Sequence, residues 1–198
     1  LLFSNFHRDR FEQWLSELAV GAESGNLGKK VSSLSDGNRM KLMISGVLAR
    51  DTKLLLMDEP ASPLDPLMRD KLCEIIRDYL LEEEGERSVF FSTHNIADME
   101  NVTDYAIIMA HGTIVEAGFV EDLKEKYVLV KGEPDDISCA SNVLFSMHSN
   151  KYGYEGICLS EKLDQLAGCD ISVETPSLSQ ISVAVMKNYS RLQDRRNA

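Results

Sequence analysis

At 198 residues the chain can bury a core of its own, as one medium domain or as one domain with a small appendage. Its 21 Lys+Arg against 32 Asp+Glu leave a formal net charge of -11, which excludes an overall electrostatic footprint for nucleic acid or anionic lipid. No apolar run reaches the ~20 residues that cross a bilayer, and Cys73, Cys139, Cys158 and Cys169 lie scattered without a CxxC pair, so they read as reduced thiols.

Phe11, Trp14, Leu15 and Leu18 recur at helical spacing and predict an amphipathic helix over Asp9–Leu18 that ends near Gly21. Gly21–Lys30, "GAESGNLGKK", reads as an exposed loop. Ser35 is placed to cap a helix running through Leu48, and "KLLLMD" then has the continuous apolar character of a buried strand. A helix carrying Leu72, Ile75, Ile76 and Tyr79 on one face follows, with Pro66 suited to its first turn.

"RSVFFSTH" is a second buried strand, "NIADMENV" a short helix, "DYAIIMA" a third strand, and "HGTIVEAG" a turn and strand. Strands alternating with helices in this way predict parallel βαβ units, with helices on the faces of the sheet. The pattern changes after Tyr127. Two short strands about a Gly/Asn turn, a helical "SEKLDQLAG", a strand "CDISVET" and a last helix capped by Ser177 predict a small α+β unit.

Three stretches carry chemistry. "LLLMDEP" puts Asp58 and Glu59 at the carboxyl end of a strand, the edge where open α/β sheets bind ligands. Successive strand side chains diverge, so one carboxylate can hold a Mg²⁺ shell while the other polarises a water. "FFSTH" delivers His94 to the same edge, where an imidazole can hydrogen-bond a terminal phosphate. "LSDGN" opens a helix whose first-turn N–H groups, Ser35 hydroxyl and bare Gly37 form an anion cradle.

In this order and spacing the motifs resemble the ATP-binding domain of ABC transporters. "LSDGN" matches the signature loop, "LLLMDEP" the Walker B strand, "SPLD" the D-loop and "FFSTH" the switch-histidine strand. The resemblance implies a partial P-loop NTPase fold, α/β with a mostly parallel sheet and a helical subdomain over residues 1–127. A small α+β accessory domain follows over 128–198. Asp58 would orient Mg²⁺, Glu59 would be the general base and His94 would meet the γ-phosphate of ATP. Ser35 and Gly37 would bind the nucleotide held by a second ATPase subunit, and Asp65 would couple the two sites. Two positions depart from the common pattern: Asp36 adds a negative charge to the cradle, and Pro63 stiffens the D-loop.

The resemblance also implies a P-loop, GxxxxGK[ST], upstream of the signature. "GAESGNLGKK" does not supply it. Glu23 stands where the first Gly belongs, Lys30 replaces the hydroxyl residue, and no apolar strand precedes it. With Leu1 rather than Met at the start, the chain reads as the second half of an ATPase domain, the P-loop half missing and the polypeptide inactive alone.

The tail resembles the accessory domain of a bacterial exporter branch. The expected function is therefore ATP hydrolysis that energises export through a separate membrane permease. The subunit would sit on the inner face of the membrane, in a homo- or heterodimer and without nucleic acid. A soluble non-transport ABC-type ATPase and a catalytically silent interaction module are the alternatives.

Overall fold

The computed structural model describes residues 5–20 and 30–197 in two compact units, Leu1–Val102 and Thr103–Ala198. The predicted loop at Gly21–Lys30 lies, except for Lys30, outside the described residues. Compactness divides the chain ahead of the change of sequence pattern after Tyr127. The resemblance-based extent of 1–127 and the packing-based extent of 1–102 therefore follow different criteria.

The first unit orders α1 (Arg8–Glu17), α2 (Asp36–Leu48), β1 (Leu54–Asp58), α3 (Pro66–Leu81), β2 (Ser88–Ser92) and α4 (Ile96–Met99). β1, α3 and β2 form the expected parallel βαβ unit, with Leu54 opposite Ser88 and Asp58 opposite Ser92. Leu18, Ile44, Leu48, Leu55, Leu72, Ile76 and Tyr79 pack as its core, and the Tyr79 hydroxyl donates to the Thr52 carbonyl. Burying such side chains contributes roughly 1.5–3 kcal/mol each.

The strands differ from the expectation of burial on both faces. Leu55 is buried and Met57, Val89 and Phe91 pack against the core, whereas Leu54, Leu56 and Phe90 are more than half exposed. The helices of this unit thus cover one face of the parallel pair. An uninterrupted apolar run is consistent with either arrangement, because side chains alternate between faces whatever their hydrophobicity.

In the second unit β3 (Tyr105–Ala110) pairs antiparallel with β4 (Thr113–Phe119) as a hairpin, where the sequence predicts a parallel strand. α5 (Val120–Lys126) follows, then a sheet of order β6-β7-β5-β8 built from β5 (Tyr127–Gly132), β6 (Phe145–Asn150), β7 (Gly153–Leu159) and β8 (Ile171–Glu174). α6 (Ile137–Ala140) lies between β5 and β6, and "SEKLDQL" winds as a 3₁₀ helix. The final helix, α7 (Leu178–Asn197), opens on a capping box: Ser177 Oγ accepts from the Gln180 N–H, and Gln180 Oε1 accepts from the Ser177 N–H.

The cysteine expectation is corrected in part. Cys139 and Cys169 are disulfide-bonded, while Cys73 and Cys158 are free and buried. The fold, not a sequence motif, brings together two residues 30 positions apart. Burial also pushes both free thiols above their ordinary pKa.

Candidate functional site

The parallel register decides which groups meet at the carboxyl end of the pair. Asp58 and Ser92 are the last paired residues, and the Ser92 hydroxyl donates to Asp58 Oδ1. Glu59 carries the ladder one step further: its N–H donates to the Ser92 carbonyl at 3.0 Å, yet its φ is +48°. A non-glycine residue pays for left-handed backbone only where its surroundings over-determine it.

Here the surroundings are residues from the neighbouring strand end. Glu59 Oε1 lies 2.7 Å from His94 Nδ1 and accepts from the His94 N–H at 3.0 Å. Thr93 Oγ1 reaches Glu59 Oε2 at 3.5 Å and accepts from the Asn95 N–H at 3.0 Å. Sequence-predicted residues Asp58, Glu59 and His94 are thus brought to one edge. Thr93, at the same strand end as His94 but without an expected role, and Ser92 hydrogen-bond to Glu59 and Asp58. Their signal was positional, since both lie inside the "FFSTH" strand end.

Asp58 is exposed, and a single carboxylate of this kind suits Mg²⁺, which keeps several waters and takes much of its shell from substrate phosphates. Among the described residues no cluster of three or more His, Cys, Asp or Glu could hold a metal by itself.

The signature residues form a separate group at the start of α2. Ser35 is its N-cap, accepting from the Asn38 N–H at 3.3 Å and from the Asn38 side chain at 3.1 Å. Asp36, whose charge stood out against phosphate binding, is ion-paired to Arg39. Gly37 lies against the D-loop, where an added Cβ would come within 2.9 Å of the Pro63 carbonyl oxygen.

Asp65 caps α3 through Met68 N–H at 3.0 Å. Arg69 then fastens the loop, donating to the Leu64 carbonyl at 2.8 Å and to Asp98 Oδ2 at 2.7 Å. Arg69 was also missed, because an arginine in an amphipathic helix gives no sequence signal of the carbonyl it will meet. No helix among the described residues is long and apolar enough to cross a membrane.

Residues 3–62 match the family model described as ABC transporter. The chain is similar to a phosphate import ATP-binding protein of Listeria monocytogenes, 34% identical over 116 residues, covering 58% of this chain and 41% of the relative. It is also similar to an energy-coupling factor transporter ATP-binding protein of Enterococcus faecalis, 28% identical over 148 residues, covering 75% of this chain and 50% of the relative. A solved dimeric bacterial ABC transporter cassette aligns at 24% identity and TM-score 0.48, over 57% of this chain and 46% of that one. The chain spans half or less of the length of these curated relatives. Residues 3–62 thus carry the pattern of the ABC transporter family, and the curated relatives that the chain resembles are ATP-binding subunits of transporters.

Proposed function

We propose that the chain is part of a subunit that binds and hydrolyses ATP, with Mg²⁺, to drive transport through a separate membrane permease. The observation that carries this reading is the convergence of Asp58, Glu59 and His94 at one strand edge, with the Glu59 carboxylate held by both the backbone and the ring of His94. In the proposed site Asp58 would hold Mg²⁺, which would supply charge neutralisation. Glu59 accepts the proton of the attacking water. With Nδ1 directed at Glu59, His94 has its other ring nitrogen for the γ-phosphate. Such chemistry rests on positioning and charge, so the rigidity of the strand edge matters more than a strong nucleophile.

Ser35 and Gly37 serve the nucleotide of a second ATPase subunit, and Asp65 couples the two sites across the dimer. The direction we propose is export, supported by the resemblance of the tail after Tyr127 to an exporter branch. The subunit then works at the inner face of the membrane through its permease. The Listeria relative is named for phosphate import, so direction is to be read with the full-length subunit and its permease in oriented vesicles.

The chemistry is tested in the full-length protein by Glu59→Gln, which keeps the side chain's shape and removes the base. Hydrolysis should fall about 10²–10⁴-fold with Mg-ATP binding retained. A variant that keeps activity within twofold of wild type overturns the assignment.

For the polypeptide Leu1–Ala198 alone, whose sequence contains no GxxxxGK[ST], we infer weak nucleotide binding and no turnover. Calorimetry with Mg-ATP showing micromolar affinity would overturn that inference.

A further inference from the structure

The second unit contains an open bowl of about 740 Å³, within the range of small-molecule sites. Its wall comes from three places: the β3–β4 turn, β6 and the middle of α7. Met109, Met147 and Met186 line it with soft, adaptable apolar surface. Lys187 and Arg191, one helical turn apart, bring two cations to the same lining, and His111 faces them from the hairpin. Asp194 is the acidic residue of the lining, so positive charge predominates in a chain whose net charge is -11. Like charges at this helical spacing repel, an arrangement that an incoming anion relieves.

Backbone strain falls on the same bowl. Four described non-glycine residues have positive φ: Ala19, Glu59, His111 and Ser146. Glu59 belongs to the proposed ATPase site. His111 and Ser146 both line this bowl. His111, at φ 50°, precedes Gly112 in the two-residue turn closing β3–β4, a position that favours Asn, Asp or Gly. Ser146, at φ 54°, sits where β6 shifts register between Phe145 and His148.

Strain of this kind persists where the surroundings over-determine it, and it concentrates at ligand sites. The polar groups are also set in place. His111 Nε2 is 3.2 Å from Ser190 Oγ, and Lys187 Nζ donates to His148 Nε2 at 3.2 Å, which leaves other ammonium hydrogens for a ligand.

We propose that this bowl binds a small single-chain anionic amphiphile, its carboxylate or phosphate head on Lys187, Arg191 and His111 and its alkyl part against the three methionines. The inference is independent of ATP hydrolysis. The test uses the 198-residue chain, decanoate as probe and the methionine methyl resonances as readout, assigned by single Met→Leu variants.

Of the eight methionines, Met109, Met147 and Met186 should shift saturably, while Met40 and Met57 in the first unit stay unmoved. Both cations are exposed, so Lys187→Gln/Arg191→Gln should leave the spectrum of the free protein intact and weaken decanoate at least tenfold. Neutral decanol should bind at least tenfold more weakly than decanoate. Equal affinity in the double variant, shifts spread over all methionines, or binding to anionic phospholipid vesicles without decanoate binding would overturn the proposal.

Discussion

The carbonyl oxygen of Pro63 stands 2.9 Å from the point a Cβ on Gly37 would occupy, so the start of the signature helix rests directly on the backbone of the D-loop. Two motifs that the sequence presents as separate signals are one packed contact. The segment on the Pro63 side has little room to yield, since Pro60, Ala61 and Leu64 around it are buried.

Gly37→Ala should therefore destabilise the first unit by about 1–3 kcal/mol, as overpacking against backbone does. Helix propensity favours the substitution by no more than ~1 kcal/mol, and Gly37 lies in the first turn of α2. Urea denaturation followed by circular dichroism checks the sign: a net gain in stability would show that the contact relaxes freely.

Ser35 has two separable roles, helix cap and proposed phosphate ligand. Ser35→Ala should cost about 1 kcal/mol of stability through the lost cap to the Asn38 N–H. Ser35→Asp should restore it, because Asp caps as well and its charge complements the helix N-terminus. In the full-length protein both variants should lose the proposed ATPase activity, the Asp variant by repelling phosphate. Activity that tracks stability across the pair would show that Ser35 is a cap alone.

The sequence carried what is local. The "LSDGN", "MDEP", "SPLD" and "FFSTH" motifs, the Ser35 and Ser177 caps and the β1–α3–β2 unit depend on residues a few positions apart or on strong periodicity. What it hid depends on approach through space. The Gly37–Pro63 contact and the Cys139–Cys169 bond join separate elements, and no spacing rule announces either. α5, Val120–Lys126, has seven residues, too few turns for a helical period to stand out. The half-exposed β1–β2 face was hidden for another reason: Leu54, Leu56 and Phe90 are as apolar as the buried Leu55, so composition could not tell the covered face from the open one.

His94 offers a test in which stability and chemistry part. Its side chain is 69% exposed, so His94→Ala should change stability by no more than about 0.5 kcal/mol. Glu59 Oε1 would still accept the backbone N–H of residue 94 at 3.0 Å, keeping its place. ATP hydrolysis by the full-length protein should nonetheless fall about 10²–10³-fold, the scale of removing one preorganised donor from developing charge. Unchanged turnover would remove His94 from the site.

Glu116 in β4 has a side chain that is only 13% exposed. Burial pushes its pKa up, but Lys126 at 2.5 Å, the Tyr127 hydroxyl and the Ala117 N–H at 3.1 Å hydrogen-bond the charged form and outweigh burial, leaving a net shift below 4.5. A carboxylate with a depressed folded pKa contributes stability that is present above its unfolded pKa and is lost as pH falls through the folded value. The contribution of Glu116 is therefore intact at pH 7 and drains away below about pH 4.5.

Glu116→Gln should lower stability at pH 7 by ~1 kcal/mol, because the amide oxygen can still accept from Tyr127 while Lys126 loses its anion. It should also flatten the acid limb of stability against pH, the two proteins converging once the pH has fallen through the folded pKa of Glu116. Tyr127 supplies a second readout. Burial first and Glu116 second hold its hydroxyl well above the usual tyrosine range, so the variant should bring Tyr127 ionisation, followed at 295 nm, to lower pH. Parallel stability curves for wild type and variant down to pH 3 would show that Glu116 does not carry the acid sensitivity.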